Sequence, residues 1–179
     1  PINEESDVAN IRNPYTVTEK ADGIRKLLYI NKDGKVYFID VNMNVQFTGL
    51  VAENQDYHES VIDGEHVLHD KYGKFINYYM VFDAYYIGRK DIRSLALAMT
   101  DDDEKHTKTR LSYLHEIIKE SNFQPLVGTK LPLTIEEKNF YVRGDIFKNC
   151  NEILSKVADD LFIYETDGLI FTPANKGIG

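Results

Sequence analysis

Apolar and polar residues alternate in four stretches of the first half of the chain, the pattern of strands with one covered face. Residues 26–31 and 35–41 flank Lys32-Asp33-Gly34, which predicts a hairpin closed by a glycine-bearing turn. Residues 61–69 and 75–87 flank Asp70-Lys71-Tyr72-Gly73-Lys74 and predict a second one. Both are rich in β-branched and aromatic side chains, which suit a pleated, half-buried surface. The period then changes. Leu111, Leu114, Ile117 and Ile118 recur at helical spacing, with the acidic run 101–104 near the helix start and Pro125 and Gly128 beyond its end. Residues 140–143 read as a short strand. Asn151 is placed to cap a second helix with Ile153, Leu154, Val157 and Leu161 on its buried side. Residues 162–165 and 169–172 read as the last strands, with Thr166-Asp167-Gly168 as the turn between them. Antiparallel hairpins interleaved with helices predict an α+β fold.

At 179 residues the chain is long enough for one domain with a real core, and 42% hydrophobic with 28% charged residues is a globular composition. No apolar run reaches the length of a membrane span, and the polar, acidic first residues do not make a signal peptide, so no membrane partner is expected. Pro1 in place of a methionine is read as the start of a fragment. Cys150 is the single cysteine, too few for a disulfide or a thiolate metal site, and no Asn-x-Ser/Thr sequon occurs. Both features suit an intracellular, reducing setting. The net charge of −8 excludes a broadly basic nucleic-acid-binding surface, so contact with RNA or DNA would need a local patch or another domain.

Four short stretches carry candidate chemistry. In Thr18-Glu19-Lys20-Ala21-Asp22-Gly23-Ile24-Arg25, a lysine and an arginine bracket Asp-Gly. The glycine permits close backbone approach, and the arginine presents a planar fork of donors to ribose or phosphate oxygens. The lysine becomes a nucleophile if neighbouring cations and burial lower its pKa. In Val61-Ile62-Asp63-Gly64-Glu65, the two carboxylates share one strand face, where they could hold a ribose hydroxyl and a metal ion. Phe82, within Tyr79-Met80-Val81-Phe82-Asp83-Ala84-Tyr85, could stack on a base. Asp167, before Gly168-Leu169-Ile170-Phe171-Thr172-Pro173, is placed for a metal-bound carboxylate. His66 and His69 point to opposite strand faces and make a poor metal pair; Cys150, at a helix start, would have a lowered pKa but no functional context.

Each stretch alone would pass as a surface turn or a half-solvated strand; their order makes them specific. Lys20-Ala-Asp-Gly-Ile-Arg25 resembles the first motif of the covalent nucleotidyltransferases, the superfamily of DNA ligases, RNA ligases and mRNA capping guanylyltransferases. Asp63-Gly64-Glu65 is similar to the third motif, 79–84 to the aromatic strand that follows it, and Asp167-Gly168-Leu169-Ile170-Phe171 to the fourth. Thr18-Glu19 directly before the lysine, and Gly-Leu-Ile-Phe-Thr-Pro after Asp167, resemble the capping form, as found in large cytoplasmic DNA viruses. An ATP-dependent ligase adenylation domain is the alternative.

The resemblance implies the antiparallel-sheet nucleotidyltransferase fold (ATP-grasp-like, shared by ligases and capping enzymes). It further implies GTP as substrate, Mg²⁺ or Mn²⁺ as cofactor, a lysyl–GMP intermediate on Lys20 and a 5′-diphosphate RNA acceptor. Arg25 and Glu65 would hold the ribose, Phe82 would stack on guanine, and Asp167, with Glu65, would sit at the metal and phosphates. Asp22 and Asp63 are expected to shape the turns. Arg143, with Lys148 as the alternative, is the expected donor to the guanine oxygen. The family's downstream pair of lysines and its oligonucleotide-binding-fold domain have no match within residues 1–179, so a fragment of low activity is expected. Other capping domains on the same polypeptide, and a host cytoplasm or virion location for a viral protein, complete the expectations.

Overall fold

The computed structural model describes residues 14–100, 107–142 and 144–178. Strands β1 (Tyr15–Ala21), β2 (Ile24–Ile30), β3 (Lys35–Ile39), β4 (Val45–Ala52), β5 (Ser60–His69), β6 (Phe75–Ile87) and β7 (Lys90–Asp91) precede helix α1 (Arg110–Glu120). Strands β8 (Phe123–Pro125) and β9 (Thr134–Glu137), helix α2 (Ile146–Ala158) and strand β10 (Thr166–Pro173) follow. The large sheet runs β7-β6-β5-β2-β3-β4-β8, antiparallel throughout that path, with β9 parallel to β6. β1 and β10 form a separate antiparallel pair. This is the expected α+β, mostly antiparallel architecture.

Strand alternation sends Leu28, Ile30, Val36, Phe38, Ile62 and Val81 into one core, and α1 covers it with Leu114 and Ile117. Thr109 caps α1 by accepting from Ser112 N, while the Ser112 hydroxyl accepts from Thr109 N, so two otherwise orphaned donors are satisfied together. No acidic residue lies in the first turn of α1; the expected acidic helix start, 101–104, lies outside the described residues. Both hairpin turns are as expected. Asn31 Oδ1 accepts from Asp33 N and Lys35 N, and Asp70 Oδ1 from Tyr72 N and Lys74 N.

The second half departs from the sequence pattern. Asp145, not Asn151, caps α2, accepting from Phe147 N at 2.8 Å. Of the four apolar residues expected on its buried side only Ile153 is buried; Leu154, Val157 and Leu161 are exposed. Cys150 sits inside this helix rather than at its start, and burial raises its pKa instead of lowering it. Residues 162–165 are not a strand, and Thr166-Asp167-Gly168 are the first residues of β10 rather than a turn, because Thr166 pairs with Ala21. Of 140–143, Tyr141 makes one bridge to Val17. Among the described residues no helix is long and apolar enough to cross a membrane.

Candidate active site

Lys20, Arg25, Asp63, Glu65 and Phe82 line one cavity of about 470 Å³, a size suited to a small ligand, and Asp167 is not on its lining but touches Lys20. β1 contributes Thr18 and Lys20, β2 Arg25, β5 Asp63 and Glu65, β6 Phe82 and Tyr85, and β10 Ile170 and Thr172. The cavity therefore lies between the two sheets, with the β1–β2 connection at its edge. Gly23 makes that connection possible. A Cβ there would come within 2.8 Å of Glu65 Cγ and 2.9 Å of the His66 carbonyl, so the backbone of the first motif lies directly against the third. Gly64 serves the same end across the sheet: the Tyr79 ring passes over it so that its hydroxyl donates to Lys26 O at 2.7 Å, and a Cβ at 64 would strike that ring.

Lys20 and Asp167 meet through a register irregularity. Glu19 pairs with Leu169 and Ala21 with Thr166, so one residue of β1 faces two of β10. Lys20 Nζ donates to both oxygens of Asp167 at 2.6 Å, and both side chains are about half exposed. The hydrogen bond to Asp167 raises the lysine's pKa. The lowering expected from neighbouring cations is thus absent in the protein alone, where a carboxylate occupies the amine.

Two irregularities in β6 shape the opposite wall. Ile62 pairs with Ala84 but Val61 with Tyr86, and Asp63 pairs with Asp83 but Gly64 with Val81. Tyr85 and Phe82 are the extra residues, and both line the cavity. Bulges of this kind re-aim side chains beside active sites. Arg25 lies with its guanidinium carbon 5.7 Å from the centre of the Phe82 ring. Its Nε and Nη2 donate to the fully buried Asp63 at 3.1 and 2.5 Å, and the Tyr85 hydroxyl donates to the same carboxylate. Asp63 therefore orients Arg25 rather than shaping a turn. Burial and Asp63 together push the Tyr85 phenol up to about 12. Glu65, directly opposite Arg25 in register, is raised above the usual carboxyl range by burial, against the pull of Lys138 and Arg25.

Lys138 escaped the sequence reading. Its backbone N–H donates to Val81 O at 2.9 Å, extending β9 along β6, and its nearly buried side chain lines the cavity. Burial lowers its pKa. Its ammonium donates to Glu19 O and lies 3.6 Å from the Glu19 carboxylate, which accepts from the Tyr164 and Thr18 hydroxyls at 2.9 Å each. Phe140 is a further unanticipated aromatic in the lining. A lysine just past the end of a four-residue strand, after Glu136 and Glu137, gives no pattern to find it by. The expected base donor Arg143 lies outside the described residues. Lys148 is exposed on α2 and does not line the cavity. His66 and His69 are separately engaged: His66 contacts Lys26 Nζ and Asn77 Oδ1 at 3.0 and 2.9 Å, and the His69 ring stands against Phe75.

Carboxylates suited to a divalent ion are Asp167 and Glu65, hard oxygen donors on the cavity lining or at its edge. Among the described residues no cluster of three or more His, Cys, Asp or Glu forms a complete cage. An ion held by one or two carboxylates and completed by substrate phosphates fits this set, which is the usual manner of Mg²⁺.

The fold is that of the ligase and capping-enzyme nucleotidyltransferases. A mycobacterial DNA ligase D complexed with ATP and MES superimposes with a TM-score of 0.58 at 15% identity, over 93% of this chain and 50% of that one. A second solved structure, "Pmar-Lig_Pre.", gives 0.55 at 15% identity over 93% and 40%. Residues 4–178 match the family of the mRNA capping enzyme catalytic domain, and the chain belongs to it. A probable mRNA-capping enzyme of Acanthamoeba polyphaga mimivirus is 26% identical over a 209-residue alignment that takes in 98% of this chain. The chain spans 17% of that relative's length.

Proposed function

We propose that this domain is an mRNA guanylyltransferase that carries GMP on Lys20. The observation that bears most weight is the Lys20–Asp167 contact at the edge of a cavity that also gathers Arg25, Glu65 and Phe82. In the first step the neutral Lys20 amine attacks the α-phosphorus of GTP. A P–N bond forms, the bond to the β-phosphate oxygen breaks, pyrophosphate leaves with the electron pair, and the amine proton passes to solvent. In the second, a terminal oxygen of a 5′-diphosphate RNA attacks the same phosphorus, the P–N bond breaks, and Lys20 takes up a proton.

Phe82 stacks on the base, and Arg25, held by Asp63 and Tyr85, presents its remaining donors to the ribose with Glu65. Lys138, a buried cation that lines the same cavity as Phe82, is our choice of donor to the guanine oxygen, since Lys148 does not reach that lining. Asp167 and Glu65 would hold Mg²⁺ or Mn²⁺, which would supply charge neutralisation at the phosphates. Asp167 keeps Lys20 protonated in the nucleotide-free protein, and a divalent ion held by Asp167 would weaken that hold on the lysine's proton. The mimivirus relative, of which this chain spans 17%, supports capping on a larger polypeptide in a viral setting; that other capping domains share that polypeptide is part of the proposal.

Incubation with α-labelled GTP or ATP and Mg²⁺ or Mn²⁺, followed by a denaturing gel, separates this from the ligase alternative. Label from GTP supports the guanylyltransferase; label from ATP moves the domain to the ligases. Label that appears only in a polypeptide extended past Gly179 would mean that downstream residues complete the site.

A further inference from the structure

An ion pair anchors the bulged wall of the cavity, with Asp83 on the lining and Arg110 behind it, and no step on Lys20 uses it. Arg110, the first residue of α1, is 2% exposed, and its Nε and Nη2 donate to the two oxygens of Asp83 at 2.7 and 3.2 Å. Its Nη1 donates to the Leu95 carbonyl and, at 3.0 Å, to that of Lys176. One side chain thus joins α1, β6, the loop after β7 and the segment after β10. Three of these carry cavity-lining residues: Phe82 and Tyr85 flank Asp83 and Ala84 in β6, Leu97 follows Leu95, and Ile178 follows Lys176. Backbone bonds tie the last two together, from Ala98 N to Ala174 O at 3.0 Å and from Ile178 N to Arg93 O at 2.7 Å.

Asp83 faces Asp63 in register across β5 and β6, so two buried carboxylates meet. Each is taken by its own arginine, Asp63 by Arg25 and Asp83 by Arg110. An apolar pair of similar volume would stabilise a core as well as a buried ion pair does. What an arginine adds is a rigid fork that fixes several acceptors relative to one another. Arg110 does not itself line the cavity.

We propose that Arg110 is a positioning residue for the nucleotide pocket. Through Asp83 it holds the double bulge that presents Phe82 and Tyr85, and through the Leu95 and Lys176 carbonyls it sets the wall carrying Leu97 and Ile178. The assignment rests on the nucleotide-pocket reading above.

Arg110→Lys keeps the charge, but one nitrogen cannot span Asp83 and both carbonyls. Hydrogen exchange without nucleotide should quicken selectively in residues 81–86 and 174–178 while melting stays cooperative. The GTP concentration giving half-maximal labelling should rise about tenfold, as expected for a small misplacement of binding groups. The saturating amplitude per folded molecule should stay unchanged. A lower melting temperature and amplitude, with half-saturation and the exchange pattern of those segments as in the wild type, would overturn the proposal. If Arg110→Lys does not fold, Asp83→Asn is read by hydrogen exchange alone, because Asp83 itself lines the cavity: faster exchange in the two segments supports the proposal and unchanged exchange overturns it. A wild-type protein that takes no label from any nucleotide contradicts the functional reading; the exchange comparison still decides whether Arg110 holds the two segments, and equal protection there refutes it.

Discussion

Lys20 Nζ lies 2.6 Å from each carboxylate oxygen of Asp167, a residue 147 positions further along the chain. The contact raises the lysine's pKa above its ordinary 10.5, so the nucleotide-free protein holds an ammonium, which has no lone pair to attack with. Because the shift is upward, the neutral amine accumulates only as pH rises through the raised value. Competitive acetylation of Lys20 across pH should give a midpoint above that of free lysine. Asp167→Asn should move it down, and Mg²⁺ or Mn²⁺ should move it down in the wild type but not in the variant. Equal midpoints in the two proteins would refute the coupling.

Phe82 stands at a bulge rather than in the core, so its truncation tests stacking with little cost to the fold. Loss of base stacking is worth about 1–3 kcal/mol. Phe82→Ala should weaken GTP binding, measured by calorimetry, by roughly five- to 150-fold at nearly constant melting temperature, and Phe82→Tyr should bind almost as the wild type. Unchanged affinity in Phe82→Ala would place the base elsewhere.

Glu19 and Lys138 bury their charged ends together, each side chain 2% exposed. Removing one partner strands the other's charge. Lys138→Met should therefore cost about 3–5 kcal/mol in urea denaturation. Lys138→Met with Glu19→Gln should recover much of that loss, since one of the Tyr164 and Thr18 hydroxyls, which meet different oxygens of Glu19, can still donate to the amide oxygen and the other can accept from the amide nitrogen. Additive losses in the double variant would show that the two do not act as a pair.

His66 couples stability to acid. Burial lowers its pKa, outweighing the hydrogen bond to Asn77, which raises it, and the charge of Lys26 adds to the lowering. The unfolded chain takes up a proton near the ordinary value of 6.5, while the folded chain takes it up only at lower pH. The stabilisation is thus present above 6.5 and is lost as pH falls through the interval down to the folded value, at up to about 1.4 kcal/mol per pH unit. His66→Gln should flatten that part of the urea-midpoint profile; an identical slope in the variant would assign the effect to other groups.

The site was legible where chemistry fixes residue types at short spacing. Lys20 with Arg25, Asp63 with Glu65, Phe82 and Asp167 could all be picked from local strings, and they line one cavity or its edge. Their partners could not. Tyr85 and Lys138 enter through strand bulges and the parallel pairing of β9 on β6, which depend on contacts distant in sequence. The two hairpins were legible because alternation and turn chemistry agree there. β4 was not, since Val45 and Phe47 are exposed and Gly49 breaks its pattern. Apolar spacing found α2 but assigned Leu154, Val157 and Leu161 to its buried side, because periodicity marks a face without saying what covers it. Asp167 read as a turn residue for a similar reason: the pairing of Thr166 with Ala21 that makes it strand lies across the whole chain.

The most direct test of the nucleophile is to react the protein with GTP and Mg²⁺ or Mn²⁺, digest it under conditions that preserve the P–N bond, and locate the GMP adduct by mass spectrometry. An adduct on the peptide containing Lys20, assigned to its side-chain nitrogen and abolished in Lys20→Ala, is the expected result. An adduct on another residue, or one that survives in Lys20→Ala, would contradict it.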